Sequence, residues 1–128
     1  MKKTIIIIMG LALIGALGFL VMRKEDSLDS TISAHKTGRV VDIRIQATSF
    51  EPKDVTISLG DTVRFINEDA KARWPASNIH PTHEIYRAFD PLRAIEAGQE
   101  WSFAFERKGV WRFHDHLYPN QGGVINVE

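Results

Sequence analysis

The 128-residue chain carries 16 lysines and arginines against 16 aspartates and glutamates, for a formal net charge of zero, and it has no cysteine. The charge balance gives no reason to expect a nucleic-acid partner. Without thiols the chain can form no disulfide, no thiolate metal ligand and no cysteine nucleophile.

The N-terminal stretch does not read as part of a globular fold. Met1-Lys2-Lys3 is followed by an uncharged run over residues 4–22, which Arg23-Lys24 closes. Its length is at the low end of what crosses a bilayer as a helix. The run is apolar on all sides, unlike a helix that packs one face on a core. Apolar residues continue past the small-residue exit Ala16-Leu17-Gly18. Residues 1–24 are therefore expected to be an uncleaved signal anchor, with a cleaved signal peptide as the alternative. Lys2 and Lys3 favour a cytoplasmic N-terminus, which puts the remainder in the periplasm or extracellular space. Residues 25–39 are polar and without a sustained period, as in a tether. His35 lies there and is expected to be solvated.

From Val40 the period changes to two. Val41, Ile43 and Ile45 alternate with polar residues; Phe50-Glu51-Pro52 reads as a bend. Val55, Ile57 and Leu59 run up to the turn signal Gly60-Asp61, and Val63 and Phe65 follow. Residues 68–96 form a long irregular stretch, of the kind that is functional or carries local structure. Trp101, Phe103 and Phe105 then alternate before Lys108-Gly109, and Gly122-Gly123 leads into Val124-Ile125-Asn126-Val127. Short strands separated by turns, with almost no helical period, predict an all-β sandwich over residues 40–128. Trp74, Trp101, Trp111, Phe103 and Phe113 are expected in its core.

Four of the five histidines fall in two tight pairs, His80-Pro81-Thr82-His83 and His114-Asp115-His116. In Gly109-Val110-Trp111-Arg112-Phe113-His114-Asp115-His116 the strand period puts Trp111, Phe113 and Asp115 on one face. Arg112, His114 and His116 share the other. His114 and His116 thus stand roughly 6.5–7 Å apart along the strand, close enough for one metal ion. His80, His83, His114 and His116 are the expected metal ligands, with Glu84 and Tyr118 as weaker candidates. Asp115 reads either as a ligand or as an acceptor that fixes a histidine tautomer. Neutral imidazoles suit Cu(II), Zn(II) and Ni(II). No serine, cysteine or paired-carboxylate arrangement for hydrolysis is visible.

The turns and strands Phe50-Glu51-Pro52, Val55-Thr56-Ile57, Gly60-Asp61-Thr62-Val63-Arg64-Phe65-Ile66-Asn67, Gly98-Gln99 and Gly109-Val110-Trp111 resemble those of the cupredoxins, the plastocyanin- and azurin-like copper proteins. The resemblance covers residues 40–128 and implies a cupredoxin-like Greek-key β-sandwich. It departs at the type-1 copper ligands: Asp115 stands where the cysteine belongs, Tyr118 at the histidine, Gln121 at the methionine, and Arg73-Trp74 near the first histidine. Gly109 to Leu117 is also similar to the last copper motif of multicopper oxidases, and His80-Pro81-Thr82-His83 to their His-Pro-x-His motif. That likeness implies that His83, His114 and His116 share the outward side and that His80 lies inward near Asp115. Copper is then the expected cofactor, with zinc as the alternative. Together with the expected anchor, these resemblances imply a membrane-tethered, extracytoplasmic metal-binding protein for copper handling or electron transfer, more a binding protein than an enzyme. Its expected partners are a metal ion, the membrane through the N-terminal helix, and an envelope redox or copper-handling protein. The alternative is a metal-free β-sandwich that binds another protein of the cell envelope.

Overall fold

A computed structural model of the chain describes residues 38–128. The expected span, most of the tether and His35 lie outside the described residues. Among the described residues no helix is long and apolar enough to cross a membrane. The backbone N–H of Arg39 donates to Asp61 Oδ1 at 3.2 Å and its Nε–H to Oδ2 at 3.3 Å, which docks the last tether residues.

Eight strands follow one another as β1 (Val40–Ile45), β2 (Phe50–Glu51), β3 (Asp54–Ile57), β4 (Thr62–Asn67), β5 (Pro75–Ser77), β6 (Glu100–Ala104), β7 (Gly109–Asp115) and β8 (Gly122–Val127). They make two four-stranded sheets, β2-β1-β4-β6 and β3-β8-β7-β5. The β1–β4 and β3–β8 pairs are parallel and the others antiparallel. This is the expected two-sheet sandwich. Phe50–Glu51 differs in detail, because it pairs with Arg44 and Ile45 as a short strand instead of a free bend.

The alternation seen in the sequence fills the space between the sheets. Ile43, Ile45, Val63 and Phe65 from one sheet meet Ile57, Phe113, Ile125 and Val127 from the other, all essentially buried. The 68–96 connection is pinned into this core. Phe89 is fully buried and stacks on Trp101 at 5.9 Å, while Tyr86 meets Phe103 edge-on at 5.3 Å. Trp101, Phe103 and Trp111 pack against the core while staying half-buried. The Trp111 indole reaches out of it, because its Nε1–H donates to Arg107 O and the Arg107 guanidinium lies 5.0 Å over the ring.

Two features position β7. Its register against β8 brings Phe113 opposite Gly123 and His114 opposite Gly122. A Cβ on Gly123 would sit 1.9 Å from Lys53 O, and one on Gly122 would sit 2.1 Å from Phe113 O, so both positions must lack a side chain. On its other edge β7 pairs with β5, with Ala76 opposite His114 and Pro75 opposite Asp115. The chain leaves β5 at Ser77 and enters the segment that carries His80 and His83.

Candidate metal centre

The pleat of β7 sends Phe113 and Asp115 inward and leaves His114 and His116 on the outer face of its sheet. His80 and His83 arrive from the segment after β5. Each of the four histidines offers one ring nitrogen, and these four atoms lie within 4.8 Å of one another. His80 Nδ1 is 3.3 Å from His114 Nε2, and His83 Nε2 is 3.0 Å from His116 Nδ1.

Neighbouring side chains fix which nitrogens face the centre. His83 Nδ1 is 2.5 Å from Asp90 Oδ2, and His114 Nδ1 is 2.9 Å from Asn78 Oδ1. Both partners are oxygen acceptors, so each Nδ1 carries the hydrogen and each Nε2 keeps its lone pair toward the cluster. His80 and His116 must then donate their Nδ1–H to those lone pairs when no ion is bound. A metal would take Nε2 of His83 and His114 and Nδ1 of His80 and His116, with the two displaced hydrogens moving to the opposite ring nitrogens. Asp90 is itself held by the Trp74 indole N–H at 2.8 Å and the Leu92 N–H at 2.8 Å. Burial raises the Asp90 carboxyl, but the donors from His83, Leu92 and Trp74 together bring it below the usual carboxylate range. Trp74, expected in the core, instead lies against the centre, its ring 4.6 Å from that of His116.

The site is built at some backbone cost. His83 has φ 53° and ψ 34°, a left-handed conformation that a side chain with Cβ adopts at a cost of about 1–2 kcal/mol. Its N–H donates to Ile79 O at 2.6 Å, closing the turn that aims the ring at His116. His83 and His114 are buried and His80 is exposed. Burial, reinforced by the proximity of His83, His80 and His116, lowers the His114 imidazole from 6.5 to about 4. Burial and the neighbouring His83 and His80 also lower His116. Both shifts favour the neutral imidazole that a metal ligand must be at His114 and His116.

The residues fit a divalent ion of borderline softness. Metal–imidazole bonds of about 2.0–2.1 Å put ligand nitrogens about 3.3 Å apart in a tetrahedron and about 4.1 Å apart when trans in a square plane. The two close pairs lie near the tetrahedral edge, and a pair at the 4.8 Å limit would have to close by about 1.5 Å for a tetrahedron or about 0.7 Å for a trans pair in a square plane. The second partners, Asn78 and Asp90, carried no signal in the sequence beyond their residue types. Glu84 is exposed at the start of the 3₁₀ turn Glu84–Tyr86 and is outside the cluster.

Two expectations are corrected. His80 lies with the other three histidines on the outer face and not inward near Asp115, because the segment after β5 passes over that face. Asp115 neither joins the cluster nor fixes a histidine tautomer. It is fully buried, and its Oδ2 accepts from Arg73 Nε at 2.5 Å. Its Oδ1 accepts from the N–H groups of Trp74, Leu117 and Tyr118. The buried Arg73 guanidinium also donates to Gln46 O, Asp69 Oδ2 and Gln121 Oε1, and lies 4.8 Å over the Tyr118 ring. Arg73, Asp115, Tyr118 and Gln121 are the positions at which the resemblance places type-1 copper ligands. They do converge, but around a guanidinium cation.

No family model matches the sequence, and no curated protein matches it. Solved structures do. A purple cupredoxin from Nitrosopumilus maritimus is 22% identical at TM-score 0.60, over 69% of this chain and 99% of that one. A Cu(I) form of an amicyanin variant is 20% identical at TM-score 0.58, over 70% of this chain and 82% of that one. A copper-containing nitrite reductase from Thermus scotoductus SA-01 is 21% identical at TM-score 0.58, over 69% of this chain but only 22% of the reductase. The domain is cupredoxin-like in fold, as the turn and strand signals imply.

Two measurements check this description. Asp115→Ala leaves a buried guanidinium without its carboxylate and is expected to cost about 3–5 kcal/mol in urea unfolding. Arg73→Ala has a comparable effect. The double variant should lose less than the sum by about 0.5–3 kcal/mol, and strict additivity would mean the pair is not coupled. The second measurement concerns acid. The folded His114 pKa lies below its unfolded value, so the unfolded chain binds more protons between pH 6.5 and about 4. Stability of metal-free protein should therefore be complete above pH 6.5 and fall as pH drops toward 4. The His114 share is roughly 2 kcal/mol after allowance for solvent on the His80 side. His114→Asn should flatten that fall; an unchanged pH profile would contradict it.

Proposed function

We propose that this protein binds one copper ion at His83, His114 and His116, with His80 as the fourth ligand, and serves in copper handling or electron transfer outside the cytoplasm. The observation that carries the reading is the convergence of four imidazole nitrogens within 4.8 Å, two of them oriented by Asp90 and Asn78. The cupredoxin-like fold, and the copper of the amicyanin and nitrite reductase structures it resembles, support copper over zinc. A bound Cu(II) would supply a one-electron redox centre without a thiolate. The chain's own residues hold neutral lone pairs in place, and Trp74 and Asp90 keep His83 and His116 from turning away. Asp90 raises the basicity of His83 through its hydrogen bond, which strengthens that ligand.

Copper titration of purified protein, followed by electron paramagnetic resonance, tests the site. One equivalent should bind with nitrogen hyperfine structure and without an intense thiolate band. His83→Ala, His114→Ala or His116→Ala should weaken binding strongly, and Asp90→Asn about 10–100-fold. His35→Ala should leave it unchanged. If His35→Ala weakens binding as much as His116→Ala, the copper is adventitious and the metal-free protein-binding module becomes the better reading.

The location forms a second part of the proposal. The uncharged run at 4–22 and the polar stretch after it support a membrane tether with the sandwich on the extracytoplasmic side. Fractionation should recover full-length protein in membranes, and external protease should remove the sandwich from intact spheroplasts. Full-length protein in the cytosol would reject the tether.

A further inference from the structure

The four histidines are not equally accessible. His83 is buried between His116 and Asp90, and the Trp74 ring covers His116. His80 is exposed, and His80 and His114 line an open cleft of about 470 Å³ on the outer face of the β3-β8-β7-β5 sheet. The cleft gives a molecule from solvent a path to the His80–His114 edge of the cluster, while on the other side the Trp74 ring lies against His116.

The cleft is lined with positive charge. Arg112 precedes His114 by two residues on the same face of β7. Lys53 lies across β8, where its carbonyl accepts the Val124 N–H at 3.1 Å and Val124 is in register with Arg112. Two strand spacings, about 10 Å, therefore separate the backbones that carry the two cations. Both are exposed, and neither is in a salt bridge among the described residues. Asp54 is the single carboxylate among the lining residues.

We propose that this cleft binds a small anion with oxygen or nitrogen donor atoms, such as a carboxylate or an oxoanion, and leads it to the His80–His114 edge of the metal. The inference rests on the metal reading above. Four neutral imidazoles leave the charge of a divalent ion uncompensated, and Asp90 offsets it only on the far side, behind His83. Facing the cleft are therefore the ion, Lys53 and Arg112, against Asp54. A concave surface of one dominant sign concentrates counter-ions and speeds their arrival. The volume exceeds that of a triatomic anion and lies within the range of small-molecule sites, so an organic anion of several heavy atoms also fits. Asn78, held by the His114 Nδ1–H through its oxygen, has an amide group left on the cleft wall to donate to such a ligand.

Azide is the probe. Full-length protein is first loaded with one equivalent of Cu(II) and its nitrogen coordination checked by electron paramagnetic resonance. Azide is then titrated and its charge-transfer band followed. Azide should bind, and more weakly as salt is raised. Lys53→Gln and Arg112→Gln should each raise its dissociation constant about 3–10-fold, with a larger effect in the double variant. Lys108→Gln, at the opposite end of β7, should change nothing. Imidazole, a neutral ligand of similar donor type, should bind all variants alike, which separates charge from altered access. Equal azide affinity in all variants overturns the proposal, as does intact copper coordination with no azide band. Failure to load copper at nitrogen ligands overturns the metal reading itself, and this inference with it; the resonance step reveals that before any azide is added.

Discussion

The contact between the Arg73 guanidinium and the Asp115 carboxylate holds together the end of the sandwich on which everything else depends. Through one buried cation it joins the segment before β5, the end of β7, the turn after β1 at Gln46, and the turn before β8 at Gln121. Isolated buried charges are costly, and a buried ion pair is at best near break-even against apolar residues of the same shape. What it gives here is placement. Asp115 Oδ1 receives three backbone N–H groups, so the carboxylate also shapes the turn that follows His116. A guanidinium has a fixed fork of donors and no capacity to lose its charge, which suits a position where four segments must meet in one geometry.

The pleat of β7 converts that anchor into a site. Alternate residues of a strand face opposite ways, so a carboxylate fixed inward at 115 fixes imidazoles outward at 114 and 116. The same few residues thus serve a closed ionic network within the sandwich and an open nitrogen cluster on its surface. The two do not share a ligand. In the inner position the Arg73 guanidinium stands where the resemblance places copper, and among the described residues the histidine cluster lies on the outer face. Phe113, between them, packs at 4.9 Å on Phe50 and 5.4 Å on Phe65, and keeps the strand from rotating.

The strands and the histidine pairs were legible because both follow short, regular spacings. Period-two alternation marks Ile43 and Ile45 or Val63 and Phe65 as inward, and i, i+2 histidines on such a strand must share a face. The rest depended on contacts distant in sequence. Phe89 and Tyr86 sit in a stretch with no period, so nothing local distinguishes a residue that plugs the core from one in a solvated loop. Arg73 belongs to a residue type that is seldom buried, and its burial follows only from partners 42 and 48 positions away. Asp90 follows His83 by seven residues, and it is the left-handed turn at His83, together with the indole of Trp74, that brings them into contact. The side on which His80 falls could not be inferred from its motif, because the backbone after β5 chooses the face.

A metal held on the outer face of this fold would behave differently from one held in its interior. An inward site is bounded by both sheets and its ligands are held by core packing. The outer cluster has one closed side, made by Trp74 and Asp90, and one open side at His80. Two of its imidazoles, those of His83 and His114, are oriented by hydrogen bonds. The other two are held by these: His80 Nδ1 meets His114 Nε2, and His116 Nδ1 meets His83 Nε2 with Trp74 against its ring. A site of this kind is preorganised on the side where His83 and His116 meet and adaptable on the side where His80 meets His114. Ligand exchange at a bound ion would therefore be easiest along the cleft that carries Lys53 and Arg112. In the proposed copper role, that asymmetry would place uptake and release of an ion, or binding of a second ligand, on the His80 side.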